Sequence, residues 1–141
     1  MADVDFTLRL LAALTGGLLI GFEREWQNKP AGLRTNALVS TGSALFVMLS
    51  INITPENGDV TRIIAQIVTG IGFLGAGIIF KEGFDVYGLT TAATIWCSAA
   101  VGCFAGAGFF IETLIAVAAI MGINYLLIPV DRWLQKRKKS R

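Results

Sequence analysis

The chain has 141 residues, 54% hydrophobic and 16% charged, with a net charge of +2 and a mean hydropathy of +0.64. That is too apolar for a water-soluble domain of this size, and a charge so near zero gives no reason to expect nucleic acid as a partner. Histidine is absent, which removes the commonest metal ligand and the usual neutral-pH proton carrier; zinc and haem are not expected, while Mg2+, which takes oxygen ligands, stays open.

Five apolar stretches fill most of the length, at 6–22, 35–54, 63–80, 89–104 and 109–130. At about 1.5 Å per residue they reach roughly 24 to 33 Å, against a hydrocarbon core of roughly 30 Å, so each is expected to cross a bilayer as a helix, the fourth barely. The expected fold class is an all-α membrane protein, a bundle of five transmembrane helices in a single domain over 1–141 with a basic tail at 131–141. Asp3 and Asp5 lie where a signal peptide carries basic residues, so the first stretch is expected to be retained as a membrane helix.

The first helix carries Gly17 and Gly21, a small-xxx-small pair suited to close helix packing. Its Arg9 is near enough to an end to snorkel. The connection 23–34 is the most polar segment of the chain. Glu23, Arg24, Glu25, Lys29 and Arg34, with Asn36 just beyond, form either a cation or docking site or a salt-bridged clamp on two helix ends. Glu23 and Glu25 are the candidate metal ligands. Pro30 and Gly32 predict a turn, and Thr35 is placed to cap the second helix.

The third stretch carries Gly70, Gly72, Gly75 and Gly77, which predicts close packing and a locally irregular helix, since each interior glycine costs roughly 1 kcal/mol. Gly70 to Gly75 also spell G-x-G-x-x-G, but with no strand before them the nucleotide fingerprint has no context. Gln66 and, in the fifth helix, Asn124 are the deepest hydrogen-bonding groups and are expected to join helices or to line a polar path.

Next come Glu82 and Asp85, expected on the same side as Glu23 and Glu25, and then Thr90, Thr91 and Thr94 at the start of the fourth helix. Their hydroxyls and the first-turn N–H groups suit either capping or an anion. Cys97 and Cys103 are six residues apart on one helix, roughly 9 Å along its axis, so they cannot bridge there and read as small packing residues. Gly102 and Gly106 form a second small-xxx-small pair.

Five crossings put the first and third connections and the tail on one side, which then holds ten of the twelve basic residues; Arg9 and Arg62 are the others. The acidic residues split evenly, so the bias is of the kind that sets topology, and the N-terminus is expected outside with the C-terminus in the cytoplasm.

These segments resemble the MgtC/SapB family of bacterial inner-membrane proteins. The resemblance rests on Gly-Phe-Glu-Arg-Glu-Trp at 21–26, Lys-Pro-Ala-Gly-Leu-Arg-Thr-Asn at 29–36, the run from Ala65 to Gly77, and Gly-Leu-Thr-Thr-Ala-Ala-Thr-Ile-Trp-Cys-Ser-Ala at 88–99. It covers the first four helices in order. It implies five membrane helices in the inner membrane, a role in magnesium limitation, acid stress or virulence, and restraint of the F1Fo ATP synthase by the membrane part of a founding member. Longer members continue into an ACT-like C-terminal domain, and this sequence is expected to be the short form. Thr90 stands where that founding member has a functionally linked asparagine, Asn36 where many relatives have histidine, and Cys97 matches the family cysteine.

Two functions follow as expectations. One is a binding or regulatory membrane protein, acting by helix contact with a larger complex and forming a homodimer through its glycine faces. The other is an oligomeric Mg2+ transporter or sensor built on Glu23, Glu25, Glu82 and Asp85. No nucleophile–base pair is visible, so catalysis is not expected.

Overall fold

The computed structural model describes residues 2–54, 59–130 and 133; of the basic tail only Trp133 is among them. Five helices follow in order: α1 (Asp3–Trp26), α2 (Leu33–Ile53), α3 (Thr61–Ile78), α4 (Leu89–Ala107) and α5 (Phe110–Leu126). All five lie in spans long and apolar enough to cross a bilayer, the last running over Phe110–Val130. The protein is a multi-pass membrane protein.

The helices differ from the expected bounds by a few residues. The largest change is at α1, which runs on through Glu23, Arg24 and Glu25 to Trp26, so these residues form a last helical turn instead of a loop. α3 is an uninterrupted helix despite its glycines. An unmade backbone hydrogen bond in lipid costs several kcal/mol, more than roughly 1 kcal/mol of glycine propensity, so the helix stays whole. Thr35 does not cap α2, which starts two residues earlier with Gly32 at the N-cap position and no side-chain cap on that residue.

The connection between α3 and α4 holds a small antiparallel hairpin, β1 (Phe80–Glu82) and β2 (Asp85–Tyr87), with Glu82 opposite Asp85. Gly83, at the first turn position, has φ +62, as a two-residue hairpin turn with glycine there requires. Phe84 at the tip is fully exposed.

α2 lies between α1 and α4, and the two small-xxx-small pairs explain how. A Cβ on Gly17 would come within 2.6 Å of the Asn36 carbonyl oxygen, and one on Gly21 within 2.6 Å of Leu33 Cα. On the other flank, a Cβ on Gly102 would stand 2.0 Å from the Ser40 oxygen and one on Gly106 2.7 Å from the Ala44 oxygen. Backbone therefore meets backbone along both seams, which is how helices gain packing energy where lipid offers no hydrophobic drive. Three apolar clusters share α4: Ala13, Ala44, Met48 and Ala105; Ile20, Val101 and Val117; Ile71, Ile95 and Ala99.

The third helix does not pack as expected. Gly75 faces Ala92 at 3.5 Å, but Gly70, Gly72 and Gly77 have nothing within 4 Å. α3 leans on α4 and barely meets α2, leaving a groove of about 520 Å³ between α2 and α3. At the far end from the hairpin, Arg9 does not reach out to solvent. It pairs with Asp5 at 3.0 Å and donates to the Gly106 carbonyl at 2.9 Å, closing the C-terminal end of α4.

Candidate functional site

The polar residues singled out in the sequence gather at the hairpin end of the bundle, where the last turn of α1, the first turns of α2 and α4 and the end of α5 converge. Arg24 shares one α1 stripe with Gly17, Ile20 and Gly21, and that stripe faces inward. The side chain is accordingly carried into the protein, with 2% of its surface exposed. Its Nη2 donates to Thr91 Oγ1 at 2.9 Å, while its Nε is buried with no acceptor.

Glu23 is also buried. Its carboxylate accepts a hydrogen bond from Gln27 Nε2, one turn on, and another from Asn124 Nδ2 of α5 at 3.1 Å. The ion pairs among the described residues are Arg9–Asp5 and Arg62–Asp59, both at the opposite end, so the hydrogen bonds of Glu23 and Arg24 go to neutral partners. Asn124 thus acts as the interhelical link anticipated for it, whereas Gln66 lies exposed in the α2–α3 groove.

Glu25, two positions on, points the other way. Its Oε2 accepts the Leu33 N–H at 3.1 Å and so takes up one of the orphan amides of α2. Gly32 allows this approach, since a Cβ there would fall 2.2 Å from the same oxygen. Asn36 completes the corner. Its Nδ2 donates to the carbonyls of Ala31 and Gly32, and its Oδ1 accepts from Ser98 Oγ at 2.7 Å, with both side chains wholly buried. Ala31 sits at φ +58, a left-handed conformation rare for alanine, and the Asn36 bond holds its carbonyl.

The other anticipated residues are placed as follows. Lys29 is exposed and lines a cavity at this end; Arg34 is exposed on α2 and does not. Glu82 and Asp85 face each other across the exposed hairpin. Thr90 lines the cavity and its carbonyl accepts from Thr94 Oγ1 at 2.9 Å. Thr91 and Thr94 are buried, and Cys97 and Cys103 are half-buried free thiols. Among the described residues no three His, Cys, Asp or Glu side chains group as metal ligands.

Sequence reasoning did not single out Ser98, Gln27 or Ser40. Ser40 Oγ donates to the Ala13 carbonyl at 2.8 Å across the α1–α2 seam. A readable signal existed in α2, where Ala37, Ser40 and Ala44 repeat at helical spacing.

The cavity measures about 740 Å³ and is bounded by α1, the hairpin, the start of α4 and the end of α5. Arg24, Gln27, Lys29, Thr90, Thr91 and Asn124 give it polar lining, and Ile123, Leu127 and Ile128 near the end of α5 give it aliphatic surface. Such a site offers hydrogen-bond donors and positive charge beside an apolar surface.

The MgtC family model matches residues 10–133. Protein MgtC of Salmonella typhi is 53% identical over 146 aligned residues, covering 97% of this chain and 62% of that protein. Protein MgtC of Salmonella typhimurium strain LT2 is 53% identical over 90% of this chain and 54% of its own length. Protein MgtC of Brucella abortus strain 2308 is 55% identical over 88% of this chain and 51% of its own. The chain therefore spans between half and two thirds of the length of these curated relatives. No solved structure matches it.

Proposed function

The chain belongs to the MgtC family, and on that premise we propose that it serves magnesium homeostasis or stress adaptation in the bacterial inner membrane by binding a membrane partner, with no catalytic step of its own. The observation that carries this reading is the groove between α2 and α3. Gly42 on one wall and Gly70 on the other have no atom within 4 Å of where a side chain would begin. Leu38, Phe46 and Leu74 flank them, and Gln66, with the buried Ser43, supplies hydrogen-bonding groups in a mostly apolar lining. A transmembrane helix seated there would gain close backbone contact from the glycines and a bond to Gln66, the two terms by which helices associate in lipid. The outer face of α3, with Ala65, Thr69, Gly72 and Ala76 at helical spacing, gives a second copy a place to pack as a homodimer.

The distribution of charge supports an orientation with the hairpin end in the cytoplasm. Arg24, Lys29, Arg34 and Lys81 lie at that end, and Arg9 and Arg62 at the other. The F1Fo ATP synthase, which the family resemblance implies, is the partner to test first. A photo-reactive residue at Gly70 in native membranes is expected to capture a membrane subunit of that enzyme, and adding the protein to inverted vesicles is expected to slow ATP-driven proton pumping. Crosslinks to lipid alone together with unaltered pumping would sink the partner reading. The alternative, an oligomeric Mg2+ transporter or sensor, predicts Mg2+ flux into dye-loaded liposomes above that of empty vesicles.

A further inference from the structure

The cavity at the hairpin end has a composition that the partner reading does not use. Arg24 is 2% exposed and offers five donors, of which one, on Nη2, meets an acceptor, the neutral Thr91 hydroxyl. Its Nε is buried without any. A guanidinium taken out of water this far is costly unless an anion and further acceptors meet it. Among the described residues no carboxylate hydrogen-bonds to it; the neighbouring Glu23 accepts from Gln27 and Asn124 and does not line the cavity.

Three more features converge on the same space. Thr90 and Thr91 belong to the first turn of α4, a helix of 19 residues whose first N–H groups have no intrahelical acceptor. The positive end of that helix dipole points the same way. Lys29 adds a second cation, and among the described residues no carboxylate lines the cavity. Near the end of α5, Ile123, Leu127 and Ile128 add aliphatic surface beside Asn124.

We propose that this cavity binds a phosphate group, held by Arg24, Lys29 and the N-terminal turn of α4. Arg24 supplies charge-assisted hydrogen bonds from a buried position, where they are strongest. Lys29 closes the open side as a point charge. The aliphatic surface accommodates acyl chains when the phosphate is a lipid headgroup and is left to water when the phosphate comes from solution.

The full chain, stripped of lipid in a neutral detergent, is titrated with phosphatidic acid, with phosphatidylcholine of equal chain length and with inorganic phosphate, and read by native mass spectrometry and melting temperature. Phosphatidic acid is expected to remain bound at one molecule per chain in preference to phosphatidylcholine. Its affinity is expected to fall about tenfold in Arg24→Gln and about threefold in Lys29→Gln, as loss of charge-assisted bonds implies. Arg62→Gln, an exposed residue at the opposite end, is expected to bind as the parent does. Stabilisation by inorganic phosphate that disappears in Lys29→Gln assigns the soluble source, and its lack beside retained phosphatidic acid assigns the lipid. Should Arg24→Gln fail to fold, the exposed Lys29 decides alone. The proposal is overturned if the parent prefers neither anion over phosphatidylcholine, or if Lys29→Gln binds both as tightly as the parent.

Discussion

Gly102→Ala tests the packing on which the whole site depends. The added Cβ would stand 2.0 Å from the Ser40 carbonyl oxygen, with the Ser40 carbonyl carbon and Cα at 2.8 and 2.9 Å. All three are backbone atoms of α2, so no side chain can swing aside. To bring the 2.0 Å approach to the 3.4 Å edge of ordinary contact, α2 and α4 must part by about 1.4 Å at that point. A gap of about 1 Å already forfeits a quarter to a half of each dispersion contact along the seam. One turn away, the Ser98–Asn36 hydrogen bond of 2.7 Å would stretch past the limit for such a bond. Overpacking and one buried polar group left unpaired together cost about 2–4 kcal/mol. The assay is equilibrium unfolding by dodecyl sulfate in mixed micelles, followed by circular dichroism, with Gly70→Ala as control. That glycine opens on the groove with nothing within 4 Å, so its variant is expected within about 0.5 kcal/mol of the parent or slightly more stable. If Gly102→Ala is as stable as Gly70→Ala, the account of α2 wedged between two glycine seams is wrong.

Other perturbations read different parts of the structure. Ser98→Ala leaves the buried Asn36 Oδ1 without a donor and is expected to cost about 1–3 kcal/mol in the same assay, whereas a loss under 0.3 kcal/mol would mean that the pair is not made. Arg9→Leu removes the bond to the Gly106 carbonyl and the pair with Asp5, and is expected to raise amide exchange over residues 105–110 while leaving the hairpin end unchanged. At the start of α3, the Thr61 hydroxyl and N–H both donate to Asp59 and hold its carboxyl below the ordinary value of 3.8, with a smaller contribution from Arg62. A depressed carboxyl stabilises the fold above its unfolded value and ceases to do so as pH falls through the folded one. Amide protection at 61–64 is therefore expected to drop as pH falls below 3.8 and to be insensitive above it, and Asp59→Asn is expected to abolish that dependence.

The membrane helices were legible because the bilayer permits few alternatives: a stretch of this reach must hydrogen-bond to itself, so hydropathy fixes both the element and its count. The glycine pairs of α1 and α4 were legible for the same reason, since only small residues four apart let backbones touch. The helix they touch was not, because Ala37, Ser40 and Ala44 are less conspicuous than glycine and say nothing of which neighbour they face. In α3 the glycines stand at 70, 72, 75 and 77, with no two of them four apart, and three of the four remain open to lipid or groove. Counting them as a packing face overlooked that spacing. The hairpin at 80–87 carries no long periodic signal and is held by local turn chemistry at Gly83.

The candidate site was legible as composition and not as arrangement. Charge density marked residues 23–36, but treating that stretch as a solvated loop set Glu23, Arg24 and Glu25 side by side, when a continuing helix turns them about 100° apart at each step. The pattern for Arg24 was present: Gly17, Ile20, Gly21 and Arg24 fall at i, i+3, i+4 and i+7, the spacing of a single buried stripe. A helix whose glycines must face a neighbour carries the next residue of the stripe inward with them, charged or not. What no pattern supplies is the partner across space. Arg24 with Thr91, Asn36 with Ser98 and Glu23 with Asn124 each join residues more than sixty positions apart, and the pairing exists only once α2 has drawn α1 and α4 to backbone distance. The cavity is the remainder of that geometry. Three helix ends held this close, with a hairpin crossing beside them, leave an arginine facing a space that the described residues do not fill.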